Sequence, residues 1–202
     1  MQKRRYLWLT VMLLAAACDG GSGSSGFDVR SENAAITLAL MQQQCVPHAR
    51  LMICPADETG SVPGNVATPT PQTPRVDTGV SKAAAVPCVQ AVPDAACNFT
   101  LPFAPEGFPA GTVYRVAVRV DASGPWTIGP ELSSGASPAT SFDAPVSVAT
   151  STFVPAGGTA VQLAVLVFLK PGGAVPTVVD VLADTGADYA FVTTELMLQP
   201  QS

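Results

Sequence analysis

The chain predicts an all-β fold, an antiparallel β-sandwich or jelly roll with little helix, placed after a signal peptide and a flexible tether. Three observations carry this reading. Short apolar runs recur, several with period-two alternation; turn-forming clusters separate them; and 19 prolines and 17 glycines in 202 residues leave few stretches open to a helix. With 48% hydrophobic and 12% charged residues, the chain carries enough apolar side chains for one packed core. The expected organisation is a leader over 1–17, a Gly/Ser tether over 18–33, and a single domain over 34–202 with a Thr/Pro-rich connector near 55–80.

Met1-Gln2-Lys3-Arg4-Arg5 is a charged start, and Tyr6 to Ala17 follows without a charge. At about 1.5 Å per residue that run is roughly 18 Å long, short of the ~20 residues a spanning helix needs. It reads as a secretory leader. The run closes on Leu14-Ala15-Ala16-Ala17-Cys18 and turns at once to Asp19-Gly20-Gly21-Ser22-Gly23-Ser24-Ser25-Gly26, a composition that behaves as a coil. These residues resemble the bacterial lipoprotein signal, in which small residues precede a cysteine that is lipidated and becomes the mature N-terminus. The resemblance covers about the first 20 residues. It implies lipidation of Cys18, a membrane partner reached through that lipid, and a place in the cell envelope, at the periplasmic face of the inner membrane or at the outer membrane. In lipoproteins of the enterobacterial kind, Asp directly after the lipidated cysteine is associated with retention at the inner membrane, which Asp19 would imply here.

Cysteine parity fits the same address. Five cysteines leave one thiol over in an exported protein, and with Cys18 set aside the rest are Cys45, Cys54, Cys88 and Cys97. Eight residues separate Cys45 from Cys54, and eight separate Cys88 from Cys97. Adjacent pairing gives two similar small loops, but all three connectivities remain open. The spacing lacks a C-x-x-C knuckle, and an oxidising compartment favours disulfides over zinc.

Along the domain, Ala34 to Met41 sets Ile36, Leu38 and Leu40 at period two and reads as an early strand; Ala49 to Cys54 reads as another. Pro55 to Arg75 is the connector, and Lys82 to Val86 has the composition for one helical turn before Pro87. The clearest strand is Thr112 to Asp121. Tyr114, Val116, Val118 and Val120 alternate there with Arg115, Ala117, Arg119 and Asp121, which predicts one buried and one wet face. Phe142 to Ala149 is a weaker strand interrupted by Pro145. Thr159 to Leu169 is apolar at both parities, as a central strand covered on both faces would be. After a Lys170-Pro171-Gly172-Gly173 turn, Thr177 to Ala183 reads as the return strand, Asp184 to Asp188 as a turn, and Tyr189 to Leu198 as the last strand. In it Ala190, Val192, Leu196 and Leu198 face inward, with Thr193 and Glu195 outward.

Charge narrows the function. Ten Lys and Arg stand against fifteen Asp and Glu; removing Lys3, Arg4 and Arg5 leaves 7 against 15, a net of −8 downstream. A nucleic-acid binder needs a basic face to neutralise phosphates, so that class is excluded. His48, the single histidine, limits His-based metal cages and nucleophile–His–acid triads. Asp77-Thr78-Gly79 and Asp184-Thr185-Gly186 resemble the catalytic turn of aspartic proteases, which would imply a carboxylate pair of Asp77 and Asp184 sharing a proton. Only sixteen residues follow Gly186, too few for the segments that family places after its turn, and a plain Asp/Gly turn explains the motif. Asp180, Asp184 and Asp188 gather near one loop without an EF-hand spacing. Trp126, with Tyr114 and Tyr189, offers a platform on which a sugar ring could stack. The reading that results is a non-catalytic envelope binding or structural module without cofactor or metal. Its rivals are a carbohydrate-binding or adhesion-like sandwich anchored on Trp126, with a glycan or an envelope protein as partner, and an aspartic-protease-like enzyme using Asp184.

Overall fold

The computed structural model describes residues 29–58, 74–80, 86–90, 96–133, 141–149, 159–170 and 173–201. The segment read as a leader, Cys18 with the Gly/Ser run, residues 59–73 of the connector, residues 82–85 of the Ala-rich stretch expected to form a helical turn, and Pro171-Gly172 lie outside them.

The domain opens with a helix where the alternation predicts a strand. Helix α1 (Val29–Gln42) includes all of Ala34 to Met41 and takes in 29–33, the end of the stretch assigned to the tether. Ala34, Ala35, Leu38, Ala39, Leu40 and Met41 are strong helix formers, and Glu32 in the first turn complements the positive end of the helix dipole. Ile36, Leu38 and Leu40 do not share a face: the buried stripe is Glu32, Ile36 and Ala39, at spacings of four and three, while Leu38 is exposed. The helix stops at Gln43, which adopts a left-handed φ of 51°.

The strands that follow are β1 (Val46–His48), β2 (Leu51–Pro55), β3 (Arg75–Thr78), β4 (Val86–Gln90), β5 (Cys97–Glu106), β6 (Val113–Val120), β7 (Trp126–Ile128), β8 (Leu132–Ser133), β9 (Phe142–Val148), β10 (Thr159–Phe168), β11 (Val178–Val179), β12 (Tyr189–Val192) and β13 (Leu196–Gln201). The all-β sandwich class is correct. Most pairs are antiparallel, but β12 runs parallel to β2 and β13 parallel to β4.

β10 is the axis of the fold. One of its edges pairs β6 from Val161 to Phe168; the other pairs β12 through Ala164–Val167 and β13 through Thr159–Val161. With both edges taken, β10 has no place for a return strand. Of Thr177 to Ala183, only Val178–Val179 (β11) pairs as a strand, with β7; Leu182–Thr185 is a 3-10 turn ending on Gly186 at φ 74°. The last strand is likewise split. Thr193 donates its N–H to the Leu163 carbonyl at 3.0 Å and accepts the Leu163 N–H on its hydroxyl at 3.2 Å, which breaks the ladder between β12 and β13. Thr193 is therefore buried, contrary to the outward placement its parity predicts, while Glu195 is exposed as expected.

From β13 the sheet curls through β4 to β5, whose far edge carries β9 and whose end pairs β3. Past β2, Asp57 bridges Asp77 of β3, donating its N–H to the Val76 carbonyl at 2.9 Å and accepting from the Thr78 N–H at 2.7 Å. This closes one flank of the sandwich. On the opposite flank β6 continues to β7 and β8, and among the described residues no pairing joins them to β9.

Two cores lie on the two faces of the β6–β10 sheet. The inner core, between the sheets, takes Val116 and Val118 of β6, Leu163 and Val165 of β10, Leu101 and Phe103 of β5, and Ala144 and Val146 of β9. The outer core takes Ala117, Ala164 and Leu166 from the reverse faces and covers them with Ile36, Ala39, Trp126 and Leu182. β6 therefore has no wet face: Ala117 and Arg119, expected in solvent, are buried because α1 and β7 lie over them.

Candidate functional site

Two regions of the domain have the makings of a site, and β6 divides them. Its odd-numbered side supplies Arg119 to a polar cluster beneath α1. Its even-numbered side supplies Val116 and Val118 to an apolar groove along the open flank.

Arg119, 3% exposed, donates from Nε and Nη2 to the Gln162 Oε1 at 3.0 and 2.6 Å, and from Nη1 to the Asn33 Oδ1 of α1 at 2.6 Å. Gln162 in turn donates to the Thr193 carbonyl at 3.0 Å. The guanidinium carbon lies 4.5 Å from the centre of the Trp126 ring, a cation–π distance. Glu32, 1% exposed, accepts the Ala183 N–H of the 3-10 turn at 3.4 Å. Burial pushes the Glu32 carboxyl above its ordinary value, outweighing the Ala183 and Leu182 amides, the Arg119 charge and the Trp126 indole, all of which favour the carboxylate. Burial pushes Arg119 down, opposed by Glu32, Glu195 and Asp121. The cluster is a lock: it ties α1 to β6, β10 and the segment after β12 through groups that would be costly to leave unpaired. A groove of about 540 Å³ beside it is lined by Asn33, Thr37, Leu40, Arg119, Gln162, Glu195 and Met197, among others.

On the open flank, a groove of about 600 Å³ runs between β6–β7 and β5–β9. Val116, Val118, Ile128, Val146, Pro130 and Pro145 give it apolar walls, and Asn98, Thr100, Thr127 and Ser147 give it polar groups; none of its lining side chains is titratable. A neighbouring groove of about 420 Å³ shares Val118, Thr127 and Ser147 and continues it past Val120 and Val148. Pro145 sits in the middle of β9, which among the described residues pairs β5 and no other strand. A proline there discourages a further strand from adding to that edge. The groove offers apolar surface and hydroxyls, the usual makings of a ligand cleft.

The residues singled out from the sequence fall elsewhere. Cys45 and Cys54 form a disulfide across the β1–β2 hairpin, where Val46 pairs Ile53. Cys97 is disulfide-bonded too, and the β4–β5 register places Cys88 two residues before Gln90, the backbone partner of Cys97. Trp126 is fully buried in the outer core, so it is not a surface platform. Tyr114 and Tyr189 lie on the other side of the sheet, each packed edge-on to Phe108 with ring centroids 6.0 and 5.8 Å away; burial raises the Tyr114 phenol to about 12. The sequence-level grouping of these three rings does not form.

Asp77 is buried in β3 next to Val76 of the inner core, whereas Asp184 is exposed in the 3-10 turn next to Leu182 of the outer core. The two acids thus flank different cores. Gly186 has open space where a Cβ would stand, so its positive φ is what calls for glycine, as a turn requires. Asp188 accepts the Leu169 N–H at 2.7 Å, fastening the end of β10. Among the described residues, no group of three or more His, Cys, Asp or Glu is placed to hold a metal ion. Glu32, Asn33, Gln162 and Thr193 escape a sequence reading, although Gln162, a lone polar residue in the apolar run Ala160 to Leu169, is a visible signal that something polar lies opposite.

A comparison with protein-family models, curated proteins and solved structures finds no match for this chain.

Proposed function

We propose that the chain is an exported bacterial lipoprotein, anchored by a lipid on Cys18, whose sandwich is a non-catalytic binding module of the cell envelope. The observation that carries the binding reading is the open flank: a groove walled by Val116, Val118, Ile128 and Val146, with no titratable side chain in its lining. Such a groove can hold an apolar or extended ligand, and its lining supplies no titratable acid or base to activate the hydroxyls of Thr100, Thr127 and Ser147. The Cys45–Cys54 disulfide supports export, because disulfides persist in oxidising compartments. The Leu14 to Cys18 sequence and its Gly/Ser follower support the anchor. The partners are the membrane that takes the lipid and an envelope ligand with apolar surface.

Two measurements test the reading. Intact mass of the chain extracted from its own membranes, before and after reduction and alkylation, is expected to show a start at Cys18 with an added lipid and four thiols that appear only on reduction. A chain that retains residues 1–17 removes the anchor. For the groove, the apolar reporter N-phenyl-1-naphthylamine is expected to brighten on the wild type and to lose that signal with Thr127→Arg, a change at an exposed rim position. Equal brightening in both removes the groove as the ligand site.

A further inference from the structure

The two grooves of the open flank form one channel, because Val118, Thr127 and Ser147 line both. Val116, Val118 and Val120 of β6 line it in turn, and Val146 and Val148 of β9 line it from the other side. At about 3.3 Å per residue, Val116 to Val120 spans roughly 13 Å. At the near end a Cβ on Gly129 would stand 3.1 Å from the Val116 carbonyl oxygen and 3.7 Å from that of Pro145, so β6 and β9 pinch together there. The far end runs out between Pro125 and Ala149, both exposed. A ligand that fills the channel lies along β6 with one end against the pinch.

Backbone chemistry decides against a peptide strand. Gly79 donates its N–H to the Pro102 carbonyl at 3.0 Å, so Pro102 turns its backbone groups toward β3. Pro102 faces Asp143 in the β5–β9 register, which puts the outward backbone groups of β9 on Asp143, Pro145 and Ser147. The middle one of these, Pro145, has no N–H to donate. Across the channel, β7 already pairs β6 on one edge and β11 on the other. An added strand would therefore find no continuous ladder on either wall. A hydrocarbon chain needs none.

The walls carry no titratable side chain, and their polar groups, Asn98, Thr100, Thr127 and Ser147, are exposed along the rim. A charge held here would lose hydration without gaining a counter-ion, whereas a hydroxyl or an ester would exchange water for these partners.

We infer that the channel holds the single straight alkyl chain of a free amphiphile with an uncharged head, its tail along Val116 to Val120 and its head at the rim hydroxyls and amide. Carbon–carbon bonds of about 1.5 Å in a zigzag advance roughly 1.25 Å each, so a channel of roughly 13 Å takes about ten carbons. This rests on the open flank being a ligand site, and it adds the class and the length of the ligand.

The test uses residues 18–202, the mature extent under the anchored reading, with Cys18→Ser so that no lipid of the chain's own is present. Straight-chain alcohols of six to twelve carbons are titrated in, and the valine and leucine methyl signals are followed by NMR. Affinity read from the Val116, Val118 and Val146 methyls is expected to rise roughly two- to four-fold per methylene up to about ten carbons and then to level. The Val120 and Val148 methyls should move only with the longer members. Ala149→Trp, an exposed change at the far end, is expected to lower the levelling point by several carbons and to leave hexanol unaffected. Octanoate and octylammonium are expected to bind several-fold more weakly than octanol. Affinity that ignores chain length overturns the proposal, as does a branched or aromatic alcohol that binds as tightly as the straight one of equal carbon number, or a charged amphiphile that equals the neutral one. Shifts at Val116 and Val118 without a length dependence remove the alkyl chain and leave the open flank as a ligand site. Shifts confined to the outer-core methyls of Leu166 and Leu182 remove both.

Discussion

The two faces of the β6–β10 sheet are buried by different means. The inner core is closed by other strands and its cluster holds no charged side chain, with an aromatic end where Phe103, Phe108, Tyr114, Phe142, Tyr189 and Phe191 pack ring against ring. The outer core is closed by a helix, a turn and Trp126, and it contains a buried guanidinium, a buried carboxylate and a buried amide. Apolar packing alone is non-directional and tolerates a helix in several registers. The fixed donors of Arg119, matched to Asn33 and Gln162, tolerate far fewer. The strand-built core thus takes its register from backbone pairing, and the helix-built core takes its register from polar side chains.

The sharpest way to break this comparison is Arg119→Leu. It adds apolar surface to a buried site, yet it removes the donors that Gln162 and Asn33 accept from and leaves Glu32 without its cation. A loss of roughly 3–5 kcal/mol is expected, the range for stranding one partner of a buried charged group, read as a fall in the urea midpoint. A neutral result would mean that the helix is positioned by packing alone. Leu163→Ala, in the inner core, is expected to cost about 2–5 kcal/mol through a cavity, with no repositioning of α1. Hydrogen exchange separates the two: the first variant should release the amides of α1 ahead of global unfolding, and the second should not. Replacing Cys45 and Cys54 by serine tests the hairpin on which the helix sits. About 2–3 kcal/mol is expected from the entropy of so small a loop, with α1 again the first element to exchange.

The inner core was legible from alternation, and the outer core was not, for one connected reason. Val116 and Val118 on β6 and Val161, Leu163 and Val165 on β10 announce a strand interior because nothing but strands covers them. Ala34 to Met41 satisfies period two and period 3.6 about equally well over eight residues, so periodicity alone does not separate strand from helix there, and its helix formers decide. Once that segment is taken as a strand, nothing remains to cover Ala117 and Arg119, and they read as wet. β5 carries no clear strand signal in the sequence, since Pro102 and Pro105 interrupt it; in the sheet one faces Asp143 of β9 and the other Val76 of β3. The grooves are tertiary products: Val116 and Ile128 meet Val146 only through a flank that pairing leaves open. The expected leader, by contrast, rests on residues 1–18 alone, and these lie outside the described residues.

The smallest expected effect is also the most specific to the outer core. Burial holds the Glu32 carboxyl above its ordinary value of 4.5. Between 4.5 and that raised value the folded chain binds a proton that the unfolded chain has released. The contribution of this group to stability is therefore fully present below 4.5 and is lost as pH rises through the raised value. Glu32→Gln keeps the shape and the acceptor for the Ala183 amide but cannot ionise. Urea midpoints measured across this range should fall with rising pH in the wild type relative to the variant, with the two converging at the acid end. If the wild-type and variant curves instead run parallel, Glu32 is not desolvated as the buried cluster requires, and the contrast between an apolar core and a charged one loses its clearest member.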